Sequence, residues 1–246
     1  MSKSRWGFVI GLVVISIAVA TKWWGFRNTT THIGSEEIHN QFEGDVGSSP
    51  GDPGIYRYRT NGFEQVDVLS GARHKYPNET FMTITAGDCG PVVRWVPLSE
   101  RWTDWEHCTP DLAVAVSSSY HDWFGIPDLE IESCVEPRPI TGAAGEVTTT
   151  VCESDRSLET YETTIMGSEV RDVAGVSIET TYMRRVSLLS EGSQGTAQVD
   201  VWRVSGTALI VRMEVLRSSV TPSAVGDVTY TEEFVLELLG LTPERP

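Results

Sequence analysis

Lysine is nearly missing from this chain: three residues (Lys3, Lys22, Lys75) among 246, against sixteen arginines. Cations are scarce altogether, and the formal net charge is −15. The first 27 residues hold four cations and no acid, so the remaining residues carry −19. A domain of that sign repels nucleic acid and anionic headgroups at long range, which makes both poor partners. Redox C-x-x-C pairs are missing, and the four cysteines are spaced too widely for a C-x2-C zinc site. There is no phosphate loop, dinucleotide fingerprint, H-E-x-x-H or nucleophile elbow. The sequence therefore implies no cofactor and no metal, and offers no constellation for an enzyme.

Only one long hydrophobic run is present. Residues 6–21, WGFVIGLVVISIAVAT, are sixteen positions without a charge. A bilayer span takes about 20 apolar residues, and Trp23, Trp24 and Phe26 extend this one with interfacial aromatics. We read residues 1–27 as a single-pass membrane anchor, with Lys3 and Arg5 keeping the N-terminus cytoplasmic. The alternative is a signal segment cleaved at Ala18-Val19-Ala20. Either way, the C-terminal domain is expected outside the cytoplasm. Residues 28–53 are rich in Ser, Thr, Gly, Pro and acids with isolated apolar positions, the composition of a flexible linker. Residues 54–243 then form one extracytoplasmic domain. Low lysine with abundant Ala, Gly, Val and Thr suggests a GC-rich, actinobacterial source.

An even cysteine count outside the cytoplasm reads as disulfides. Three connectivities are open. Cys89–Cys108 with Cys134–Cys152 is favoured, because each bond then closes a local loop of roughly twenty residues.

Strand signals fill the domain. IYRYRT at 55–60, TFMTIT at 80–85 and VVRWVPL at 92–98 are followed by LAVAVSSSY at 112–120 and LETYETTIM at 158–166. Longer runs follow at 176–189, 196–204, 208–218 and 228–239. β-Branched and aromatic residues dominate them, with turn residues such as Asn61-Gly62 and Ser205-Gly206 between. Helical signals are thin. PLSERWTDW at 97–105 suits a hairpin better than a helix, and HDWFGIPDLE at 121–130 allows a helical turn or a loop. Residues 136–150 read as a Pro/Gly-rich loop. The expected fold is mainly β, or α+β: a large curved antiparallel sheet, with a half-barrel as one form of it.

The densest unusual feature is aromatic. Trp95, Trp102, Trp105 and Trp123, with Tyr120 and Phe124, are candidate ligand-binding residues, although core and hairpin packing is the plainer reading of such rings. Arg94 and Arg101 stand close enough in sequence to stack on them. Asp104, Glu106, His107, His121 and Asp122 carry ligating atoms but alternate between faces on a strand, so they do not converge on a metal.

The runs GIYRYRTNGFEQVDVLSGARHKYP and CGPVVRWVPLSERWTDWEHC resemble a group of uncharacterised actinobacterial membrane-anchored extracytoplasmic proteins. That resemblance brings no activity. The segment VDVWRVSGTALIVRMEVLRSS at 199–219 is similar to LolA- and LppX-like lipoprotein carriers, with Trp202, Gly206 and Arg212 in comparable places. This second resemblance implies a curved sheet wrapped around helices, with acyl chains on its concave face. The chain departs from it in having few helices and two expected disulfides. The expected task is non-catalytic binding of an apolar ligand such as a lipid. The alternative is a protein–protein interaction or structural role in the cell envelope.

Overall fold

Alternating burial along nearly every strand shows what shapes this molecule. In β10 (Val176–Ser190), Met183, Arg185, Ser187 and Leu189 are buried while Arg184, Val186 and Leu188 are exposed. One face points inward and the other outward, as period-two geometry requires. The computed structural model describes residues 28–68, 71–223 and 226–245, so the expected anchor at 1–27 lies outside the described residues. No helix among the described residues is long and apolar enough to cross a membrane.

Thirteen strands form one antiparallel sheet, mainly a meander. They are β1 (Gly54–Val66), β2 (Ala72–Lys75), β3 (Glu79–Ala86), β4 (Pro91–Leu98), β5 (Arg101–Cys108), β6 (Ala113–Trp123), β7 (Ile126–Arg138), β8 (Val147–Glu153), β9 (Leu158–Val173), β10, β11 (Gln194–Val204), β12 (Ile210–Ser223) and β13 (Gly226–Leu238). The fold is mainly β, as expected. The sheet, however, closes on itself, where an open half-barrel was one expectation. β13 runs along β1 from Tyr58↔Leu238 to Val66↔Tyr230. Closure follows from the length of β1. Its first half pairs with β3 and its second half with β2, leaving the whole opposite edge free for β13. Gly62 makes the close approach possible: a Cβ there would lie 2.2 Å from the Glu233 carbonyl oxygen.

Both disulfides form as favoured, Cys89–Cys108 and Cys134–Cys152. The 97–105 segment is the expected hairpin, with Leu98 paired to Arg101. The 121–130 segment is a hairpin too, and holds no helical turn. Phe124 (φ 60°) and Gly125 (φ 76°) are both left-handed, the two-residue turn that matches strand twist. The expected loop at 136–150 is shorter, since β7 reaches Arg138 and β8 begins at Val147. β7 meets β8 through only two residue pairs, Ser133↔Glu153 and Cys134↔Cys152. Pro127 and Pro137 in β7 lack the N–H that a full ladder needs.

Residues 28–53, read from composition as a linker, make defined contacts with the barrel. A short helix, α1 (Ser35–Gln41), places Ile38 at 2% exposure against Ile55, Phe81 and Val96 on the outer face. The Thr31 amide and hydroxyl both donate to Glu100. The hydroxyl of Tyr56 donates to the Asp52 carbonyl at 2.8 Å.

The main core fills one end of the barrel. Trp95 packs on Phe234 at 4.4 Å between ring centres, with Tyr76 edge-on to both. Tyr58, Leu209 and Ile210 seal the floor, where the Tyr58 hydroxyl donates to the Ile210 carbonyl at 2.6 Å.

Candidate functional site

Above that floor the barrel encloses a cavity of about 400 Å³. It opens beside Asp128 and Arg156, at the end that carries the β6–β7, β8–β9 and β10–β11 turns. Its volume falls within the usual range for small-molecule sites, ~300–1,000 Å³. The β10–β13 side supplies an aliphatic wall: Leu189, Val199, Val201, Met213, Val215 and Val228. The rest is polar and strongly charged.

Two ionic networks stand on the walls. In the first, Glu64 is fully buried and accepts from Nδ1 of His74 at 2.7 Å, Nδ1 of His121 at 2.8 Å and the Tyr230 hydroxyl at 3.1 Å. Arg101 joins it through Nε at 3.5 Å, and reaches Glu232 through Nη2 at 3.2 Å. Tyr76 donates to the same Glu232 oxygen at 2.7 Å. Burial alone would raise the Glu64 pKa; His121, His74 and Arg101 more than offset it and hold the carboxyl well below the usual carboxylate range. In the second, Arg217 pairs with Glu159 at 3.0 Å, which also accepts from Ser187 at 2.5 Å. Arg138 pairs with Glu132 at 2.9 Å, and Tyr161 donates to Glu132 at 2.7 Å.

Two further arginines, Arg185 on β10 and Arg203 on β11, also line the cavity. They are 8% and 5% exposed, and neither forms an ion pair among the described residues. Burial, then repulsion from Arg138 and Arg203, pulls the Arg185 pKa down to about 9. Burial and Arg138 pull that of Arg203 down to about 10. His107, hydrogen-bonded to the Leu112 carbonyl at 2.7 Å, is pushed down to about 3 by burial and then by Arg203, Arg185 and Arg138. The deep end of the barrel is thus a positive spot inside an acidic protein.

The tryptophans separate by strand parity. Trp95, Trp105 and Trp123 line the cavity, with Trp123 stacked on His74 at 4.1 Å. Trp102 faces outward with Tyr120, 5.7 Å away, and Arg94 over its ring. Trp102 packs against the outer cluster that α1 covers and takes no part in the cavity. The acidic and histidine candidates also divide. Asp104 pairs with Arg94 outside, His121 holds Glu64 inside, and no three ligating groups cluster for a metal among the described residues.

Sequence reasoning passed over Glu64, Arg138, Glu159, Arg185, Arg203, Arg217 and Glu232. A signal was present. Arg184-Arg185 sits mid-strand, where adjacent positions face opposite sides, so one arginine of the pair must point inward. The pattern Met213, Val215, Arg217 says the same of β12.

No protein-family model, no curated protein and no solved structure matches the chain.

Proposed function

We propose that this chain is an anchored extracytoplasmic binding module that holds an amphiphilic small molecule, a lipid or lipid fragment, inside its barrel. The observation that carries the reading is the roomy internal cavity, aliphatic on its β10–β13 wall and polar elsewhere. Proteins pack their interiors closely, and voids larger than a water molecule are few. The apolar run at 6–21 is the membrane anchor in this account, and the two disulfides suit an oxidising compartment. Residues 28–53 then link that anchor to the barrel along its outer wall.

The test uses the neutral apolar dye N-phenyl-1-naphthylamine with the full chain in nanodiscs, corrected for empty discs. The cavity should take up the dye, and Ala197→Trp or Val215→Trp, which fill the aliphatic wall, should abolish uptake. Equal uptake by both filled variants would reject an internal site. A second reading, contact with an envelope protein, draws on Val186, Leu188, Leu216 and Val220, which are exposed together around β11. In that case Leu188→Glu would abolish a crosslink to a partner and leave dye uptake unchanged.

A further inference from the structure

A guanidinium withdrawn from water needs a counter-charge or a full set of hydrogen bonds. Arg101, Arg138 and Arg217 each have a carboxylate. Arg185 forms no ion pair among the described residues: its Nε and Nη2 have no hydrogen-bond partner, the Tyr161 ring lies 5.6 Å away, and Glu132 acts on it only from a distance. Arg203 spends Nη1 on the Ala208 carbonyl at 2.8 Å and leaves Nε unpartnered. Both stand on adjacent strands and both line the same cavity. A planar fork of N–H donors matches the oxygens of a carboxylate or phosphate. The aliphatic patch of β11 and β12 lies at the same depth: Val199 stands opposite Arg185, and Val201 and Met213 fall between the levels of the two arginines.

We propose that Arg185 and Arg203 form the head-group site of the barrel, and that its ligand is an amphiphile with an anionic head, carboxylate or phosphate, whose apolar part packs on the aliphatic patch of Val199, Val201, Met213 and Val215. This rests on the internal-cavity reading above and narrows it. It assigns the ligand a charge. It also accounts for two uncompensated arginines in a domain that is otherwise strongly acidic. The wall carboxylates are already engaged by other arginines and hydroxyls, so the incoming anion meets the free guanidinium groups.

Calorimetry on the full chain in nanodiscs, with empty discs subtracted, tests this with octanoate, octyl phosphate and octanol. The three share a tail and differ in the head. The expected result is that octanoate or octyl phosphate binds at least tenfold more tightly than octanol, the tighter of the two naming the head group. Arg185→Gln and Arg203→Gln should each weaken the anion at least tenfold and leave octanol within twofold. The comparison of anion with alcohol on the unsubstituted chain needs no variant, so a misfolded variant does not decide the matter. Octanol binding as tightly as both anions, or anion binding indifferent to Arg185→Gln in a chain with unchanged melting temperature, would overturn the head-group site while leaving the cavity reading intact. No binding of any probe, together with no dye uptake, would remove both.

Discussion

Breaking the Cys134–Cys152 bond should open a seam in the barrel that breaking Cys89–Cys108 leaves shut. The two bonds close loops of nearly equal length, with sequence separations of 18 and 19. In the chain-entropy model each is then worth about 3 kcal/mol, so the paired Cys→Ala variants should lose similar global stability. Their local consequences differ. Cys89 and Cys108 tie strands already joined elsewhere: β3 to β4 by six residue pairs and β4 to β5 by five. β7 and β8 share two pairs, and one of them is Cys134↔Cys152 itself. A backbone hydrogen bond contributes a net ~0.5–1.5 kcal/mol, so little besides the disulfide holds that seam. Removing about 3 kcal/mol from its opening should accelerate amide exchange there roughly a hundredfold, at about tenfold per 1.4 kcal/mol. Hydrogen exchange read by mass spectrometry on both double variants is the assay. Faster exchange at 131–136 and 150–155, confined to Cys134→Ala/Cys152→Ala, is expected. Unchanged exchange across those residues in that variant would refute the seam argument. Because Glu132 and Glu159 line the cavity beside the seam, the same variant should also release bound dye faster.

Trp95→Ala, at a ring that is 1% exposed, should cost about 3–5 kcal/mol in guanidinium unfolding; a loss under 1 kcal/mol would mean the floor of the barrel is not packed as described. Gly62→Ala should destabilise by more than ~1 kcal/mol and raise exchange along β1 and β13, because its Cβ has no room beside Glu233. For Glu64 the folded pKa lies below the unfolded value near ~4.3, so its contribution is present above that pH and is lost as pH falls. Glu64→Gln should therefore be less stable at neutral pH and show a flatter decline below about pH 5 in thermal melts; an unchanged acid limb would count against a charged, paired Glu64. Ile38→Ala should free residues 28–45 to exchange while the barrel melts at nearly the same temperature, since α1 packs only on the outer wall.

What was legible in the sequence is what local pattern decides. Alternation marked the long strands, and the equal, local loops pointed to the right cysteine pairs. The 97–105 hairpin followed from the same cysteines. The closure was not legible, because Tyr58 and Leu238 are far apart in sequence and no local signal joins them. β7 and β8 were obscured by Pro127, Pro137 and a run of threonines, which read as loop. Ile33, Ile38 and Phe42 are too dispersed to announce a docked helix, yet each finds the same outer cluster. Three of the four candidate tryptophans line the cavity, and the fourth is turned outward by strand parity alone. The ionic lining was missed because charge on one face of a strand ordinarily means water. Here that face is the inside of a barrel, where Glu64, Arg101 and Glu232 satisfy one another.

The most direct measurement is the intact mass of residues 28–246, secreted by an actinobacterial host, taken natively and then under denaturing, non-reducing conditions. The account predicts a native mass larger by one lipid-sized increment with an acidic head, lost on denaturation, and four hydrogens missing for the two disulfides. Identical masses in both states, in a chain that also refuses octanoate and neutral dye, would contradict it.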